Sequence, residues 1–231
     1  VGLSNNFITP KFLHQVVAVK KLLDKTGLEL IKLLTFWTDI STTGEKSLYR
    51  RLFLSPNLRN VNLVFQAKNG SYLSDIKTKI KDHIPVLMAA LRVKTEDITA
   101  INGPSGTEKE LNLPNVSIIY RHSLLAKILG VQVPDLAGIV TLFGDPFADA
   151  DATLKFLDRW GKMEDSGFSY RQLNYLINDI DDAKKPLSPS ELTILQLAKT
   201  LYDGLNAIDE THKDLAADTE TTDLDEQTLE I

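Results

Sequence analysis

The stretch Val116-Ser117-Ile118-Ile119-Tyr120-Arg121-His122-Ser123-Leu124-Leu125-Ala126-Lys127-Ile128-Leu129-Gly130-Val131 decides the fold class. Val116, Ile119, Leu124, Leu125, Ile128 and Leu129 recur three and four apart, which is the spacing of one helix face; a half-buried strand would alternate instead. Gly130 follows, and glycine best tolerates the left-handed conformation that closes a helix. The same spacing runs through Phe12, Val16, Val19, Leu22 and Leu23, and again through Ile76, Ile80, Ile84, Leu87 and Leu91. The chain therefore reads as all-α.

Working outward from Gly130-Val131, a local pattern recurs six times: an apolar residue, a second five positions later and a third three after that. The sets are Ile8, Leu13, Val16; Leu28, Leu33, Phe36; Val93, Ile98, Ile101; Val131, Leu136, Ile139; Phe168, Leu173, Leu176; and Leu187, Leu192, Leu195. Gly27, Gly130 and Gly167 stand directly before three of them, and helix starters such as Thr95, Pro134, Ser169 and Ser188-Pro189 come just after the anchors. Each unit reads as helix, tight turn, helix. Val93, Val131 and Phe168 are spaced like helical-pair repeats, whereas the other anchors are not, so the repeat is degenerate. The expected architecture is an irregular stack of helical hairpins, bundle or solenoid-like.

One segment departs from helical spacing. Val61, Leu63 and Phe65 alternate ahead of Asn69-Gly70, so an irregular loop or a short hairpin is expected near 57–72, with the loop preferred. The last helix is expected from about Ser190 through Leu192, Leu195, Ala198, Leu201, Leu205 and Ile208. Residues 1–208 then form the helical body. Residues 209–231 form an acidic tail, the end of that long helix followed by a flexible stretch.

A chain of 231 residues, 43% hydrophobic and 25% charged, has the composition of an ordinary globular protein large enough to bury a core. No apolar run approaches the roughly 20 residues of a membrane span. The absence of cysteine removes disulfides, thiolate metal sites and cysteine nucleophiles together. The first residue is Val1, the first methionine is Met88, and no basic-then-apolar leader stands near the start, so the chain reads as a piece of something longer. Nine acidic side chains and only Lys213 lie from Asp209 onward; taking that −8 from the total of −5 leaves about +3 for residues 1–208. That body has no basic stripe interleaved with aromatics, so nucleic acid is not an expected partner.

The residues that could carry chemistry are better read as structure. His14, His83, His122 and His212 are far apart, and none belongs to a His-Glu-x-x-His element. Asp145, Asp149 and Asp151, and separately Asp179, Asp181 and Asp182, lack the central glycine and distal glutamate of a calcium loop, so helix caps and solvated turns account for them. Asn102-Gly103-Pro104-Ser105-Gly106 has neither nucleophile-elbow order nor a phosphate-loop lysine and reads as a loop. Glu96-Asp97 fits a helix start, where acids meet the positive end of the dipole. Trp37, Phe53, Tyr120, Phe143, Trp160 and Tyr175 fall where packing anchors belong. The sequons at Asn69 and Asn115 are common by chance. No catalytic, cofactor-binding or metal-binding residues are assigned, and no enzyme activity is expected.

Three ordered stretches carry a resemblance. The first is Phe36-Trp37-Thr38-Asp39-Ile40 through Gly44 and Ser47-Leu48-Tyr49-Arg50-Arg51-Leu52-Phe53-Leu54. The second is Asp82-His83-Ile84-Pro85, Ala89-Ala90-Leu91-Arg92-Val93, Leu111-Asn112-Leu113-Pro114-Asn115-Val116-Ser117-Ile118-Ile119-Tyr120-Arg121 and Leu124-Leu125-Ala126-Lys127-Ile128-Leu129-Gly130-Val131. The third is Asp145-Pro146-Phe147, Thr153-Leu154-Lys155-Phe156-Leu157, Ser166-Gly167-Phe168 and Leu173-Asn174-Tyr175-Leu176-Ile177. In order and spacing they resemble the virulence-plasmid-protein-like helical shell region of the Tc-type insecticidal toxin complex A subunit, over roughly Ile8 to Asp209. The loop from Asn57 to Tyr72 and the tail from Glu220 match less well.

The resemblance implies a non-catalytic wall segment of a large, secreted, homopentameric virulence particle. Its helical shell encloses a translocation channel and opens when pH changes. Expected partners are sister protomers and other shell segments of the parent subunit, with no direct membrane contact from this segment; a monomer is an allowed state of the segment alone. No cofactor is expected. His83 and His122 are the candidate pH-responsive residues, since histidine alone changes charge near neutrality at its unperturbed pKa. The competing reading is a free-standing helical-repeat adaptor that takes a protein partner in a concave groove.

Overall fold

The computed structural model describes residues 8–55, 63–65, 73, 77–183 and 185–213. The fold is all-α and bundle-like: among the described residues there are ten α-helices and several 3₁₀ turns, with no strand. Two compact units divide the chain, Val1–Asn178 and Asp179–Ile231. Most of the expected loop or hairpin near 57–72 lies outside the described residues, as do Ile76 and the tail from residue 214. The turn 63–65 is described, and there Leu63 is exposed while Phe65 is buried and stacks on Phe53 at 4.6 Å.

The first unit holds α1 (Pro10–Thr26), α2 (Leu30–Leu33) continued by the 3₁₀ turn Leu34–Phe36, α3 (Leu48–Phe53), α4 (Ile84–Leu91) and α5 (Thr95–Asn102). After these come α6 (Leu113–Leu129), α7 (Leu136–Phe143), α8 (Ala150–Asp165) and α9 (Tyr170–Asn178). Side-chain caps explain where four of these nine begin. Thr9 accepts from the Phe12 amide at 3.1 Å, Asn112 from Asn115 at 2.9 Å and Asp149 from Ala152 at 2.8 Å. Ser169 and Gln172 form a reciprocal capping box, with the Gln172 amide donating to Ser169 Oγ and the Ser169 amide to Gln172 Oε1. Left-handed residues close α1, α4 and α6. Two are glycines, Gly27 at φ 64° and Gly130 at φ 69°, but Arg92 at φ 57° does the same at the cost of a crowded Cβ.

These starts explain the recurring pattern of five and three. In five of the six sets the first apolar residue directly precedes the N-cap and the second is the fourth helical residue, which is the hydrophobic staple. Leu28 and Leu33 flank the Glu29 cap in this way, Val93 and Ile98 flank Lys94, and Val131 and Leu136 flank Gln132. Ile8 and Leu13 around Thr9, and Phe168 and Leu173 around Ser169, follow suit. The sixth set is out of register, because the Ser190 cap makes Leu192 the second residue of its helix. The pattern is thus the signature of a helix start.

Helix α6 is the hub of the first unit. Val116, Ile119 and Leu125 are fully buried, and α6 packs against α4, α5 and the 3₁₀ turns at 34–36 and 133–135. Around it α1 lies on α8 and α7 on α9, pairings between segments far apart in sequence. Gln15 of α1 caps α8 in both directions, accepting from the Ala150 amide at 3.0 Å and donating to Asp151 at 2.9 Å. Buried Asn174 of α9 donates to the Gly138 carbonyl of α7 at 3.1 Å, and a Cβ on Gly138 would sit 3.0 Å from that same amide nitrogen. The absence of a side chain there lets the two helices meet.

The second unit contains α10 (Glu191–Thr211), capped by Ser190. Ahead of it Asp181 gathers four donors: the amides of Asp182, Leu187 and Ser188 and the Ser188 hydroxyl. Those bonds, led by the Ser188 hydroxyl, hold its carboxyl down to about 2. Among the described residues no single helix is long and apolar enough to cross a membrane.

Candidate functional site

A groove of about 1220 Å³ opens in the first unit. The ends of α1, α4 and α6 converge on it, joined by α3, the start of α5 and residues 131–133. Its half-buried apolar floor includes Leu28, Leu52, Ala90, Ile128, Val131 and Val133. Six cations line it, Lys25, Lys32, Arg51, Arg92, Lys94 and Lys127, against one acid, Asp97.

Three of the six cations have acidic partners. Arg51 makes a two-pronged contact with Glu29 at 2.7 and 2.9 Å, Lys32 joins the same carboxylate at 2.9 Å, and Lys25 reaches Asp158 at 2.7 Å. The Arg51 guanidinium, with Lys32, holds the Glu29 carboxyl down to about 2. Asp97 accepts from the Lys94 amide at 2.7 Å, so this carboxylate is already engaged at the start of α5. Arg92, Lys94 and Lys127 are exposed and bear no such partner among the described residues. The rim is therefore positive.

Sequence reading missed this groove because its cations are scattered from Lys25 to Lys127 with no run among them. The available signal was positional. Lys25, Arg92 and Lys127 each sit at the end of a helix that a left-handed residue closes, and three such ends with a following apolar anchor mark a shared rim.

The two candidate histidines lie in different surroundings. His122, half-buried on α6, uses Nδ1 to donate to the Ile118 carbonyl at 2.8 Å and packs on the Phe147 ring at 4.7 Å. Burial lowers its pKa; neighbouring Arg121 adds to that, while the Ile118 bond and Asp145 oppose it. Arg121 itself donates to the Phe36 and Thr38 carbonyls at 3.3 Å each and lies 3.9 Å from Asp39. His83 is half-buried at the 3₁₀ turn Ile80–His83, with Nε2 3.1 Å from Thr78 Oγ1 and its ring perpendicular to that of Phe65 at 6.1 Å. The structure does not bring these two histidines into one cluster.

The remaining candidates take structural positions. Among the described residues no group of three or more His, Asp or Glu side chains could hold a metal ion. Asp149 caps α8, Asp145 accepts from the Phe147 amide, and Asp97 lies in the first turn of α5 beside Glu96. The Gly103–Gly106 loop feeds a 3₁₀ turn, and Gly106 is packed so closely that a Cβ would fall 2.5 Å from Asn102 Cβ and 2.9 Å from the Ile98 carbonyl. Asn115 donates to the Glu110 carbonyl at the start of α6, and Asn69 lies outside the described residues.

The resemblance stretches pack at one junction: Trp37 Nε1 donates to Thr153 Oγ1 at 2.9 Å, and the Ile40 amide to Ser117 Oγ at 2.9 Å. Phe36, Tyr49 and Phe53 are fully buried beside them. No known protein family, curated protein or solved structure matches the chain.

Proposed function

We propose that this chain is a non-catalytic structural segment of the outer helical shell of a secreted, pentameric toxin translocation subunit, working through packed faces against sister protomers and neighbouring shell segments. The observation that carries the reading is how burial varies along the helix-start sets. In the three middle sets the second apolar residue is sealed, at 0 to 3% exposure for Leu33, Ile98 and Leu136. In the first and fifth sets the same position opens: Leu13 is 52% exposed and Leu173 is only partly buried. Helix α10 extends the trend, since Ile194, Leu201, Tyr202, Leu205 and Ile208 are all exposed. An amphipathic helix of 21 residues gains most of its stability from a covered apolar face, and large uncovered patches mark contact surfaces. Helices whose apolar faces await neighbours are what a wall segment would present.

The test is capture of the native protein from its source with an antibody against this chain, followed by a denaturing gel and negative-stain microscopy. A parent polypeptide many times larger than 25.8 kDa, in particles with fivefold symmetry, is the expected result. A free protein near that mass would overturn it. The second reading, a free-standing helical adaptor, is favoured by the positive groove and would then take first place.

A further inference from the structure

We infer that the groove at the ends of α1, α4 and α6 is a docking site for an acidic amphipathic helix on a separate polypeptide. Its size is the first argument. At about 1220 Å³ it exceeds the roughly 300–1,000 Å³ typical of small-molecule pockets, and its lining includes the half-buried apolar side chains of Leu28, Leu52, Ile128, Val131 and Val133. An apolar helix face laid into such a floor, with its polar face turned to the rim, is a recurring mode of recognition.

Charge selects the occupant. The rim carries six cations and one acid, and Arg92, Lys94 and Lys127 stand exposed without acidic partners among the described residues. Lys25, Arg92 and Lys127 sit where helices end, and each such end offsets about half a unit of positive charge, which still leaves the rim positive. The backbone argues against a small anion such as phosphate. The ends of α1, α4 and α6 present carbonyls to the rim, and at the start of α5 the Lys94 amide is already engaged by Asp97. Flexible lysines over an apolar floor suit carboxylates spread along a helix. This inference stands independently of the shell reading, and the groove could be filled or empty without changing the mass of the parent protein.

The experiment is a selection on the full chain from a displayed library of 18-residue helix-forming peptides, with leucine fixed along one face and Glu or Lys randomised on the other. The strongest binder is then measured by fluorescence anisotropy. Acid-rich winners are expected, with affinity falling at least about tenfold for Lys94→Glu/Lys127→Glu and falling as salt rises. Both lysines are exposed, and circular dichroism of the double variant checks that its helices persist. Lysine-rich winners, no winners, or binding indifferent to the charge reversal would overturn the inference. Concentration-dependent self-association abolished by the same double variant would also overturn it, giving the groove to a second copy of this chain.

Discussion

Thr153 is fully buried and its hydroxyl does three things: it accepts from Trp37 Nε1 at 2.9 Å, donates to the Pro146 carbonyl at 2.6 Å and lies 3.0 Å from the Asp149 carbonyl. Thr153→Val keeps the shape and leaves the indole N–H and a carbonyl without a partner, so a loss of about 2 kcal/mol in urea unfolding is expected. A loss below about 0.5 kcal/mol would mean that these groups find other partners. His122 gives a pH prediction. Burial favours the neutral ring, so its folded pKa lies below the unfolded value of about 6.5. Between the two values the unfolded chain binds more protons, so its contribution is complete above about pH 6.5 and is lost as pH falls. The charged groups facing it are Arg121 on the same helix and Asp145 from the loop before α8. Glu29 and Asp181, both held to about 2, lose their contributions only below the ordinary carboxylate range. Melting temperature should therefore fall from pH 7 to pH 5, and His122→Gln should flatten that fall. Equal slopes in wild type and in both His122→Gln and His83→Gln would remove the histidines as the cause.

At the scale of elements, the staples predict which apolar residues matter. Ile98 is the fourth residue of α5 and is sealed, so Ile98→Ala should cost about 2–4 kcal/mol. Leu176, the third member of the α9 set, also falls on the periodic positions but is 65% exposed, and Leu176→Ala should change stability by less than about 0.5 kcal/mol. Thermal unfolding of the pair checks this, and comparable losses would mean that spacing alone determines burial. The same contrast shows what the sequence made legible. Helix starts were readable because capping is local: Ser169 with Gln172, Asp149, and Glu96-Asp97 all lie within a turn of the helix they begin. The α6 stripe and the span of α10 were readable because periodicity is local too. The pairing of α1 with α8 was not, since Gln15 and Asp151 are 136 positions apart and nothing in either segment names the other. Leu13 and Leu33 hold equivalent positions in the pattern, and only the assembled neighbours decide that one is half-exposed and the other sealed. The groove escaped for the same reason, its rim being assembled from six helices.

At the scale of the molecule, the division at Asn178 determines what can fold alone. The first unit contains the buried hub of α6, its staples and the α1–α8 and α7–α9 pairings, whereas no residue of α10 is buried. A helix without a covered apolar face adds little to a cooperative transition, because isolated helices of this length are marginal in water. A chain ending at Asn178 should therefore melt within about 2 °C of the full chain, a shift that for a domain of this size corresponds to less than about 1 kcal/mol. The full chain should show a larger helical signal at low temperature, with the excess from 191–211 fading gradually below the main transition. Differential scanning calorimetry and circular dichroism of the two chains test this together. A drop of 10 °C or more on truncation would mean that the second unit supports the first, and the exposed stripe of Ile194, Leu201 and Ile208 would then have its cover within the chain.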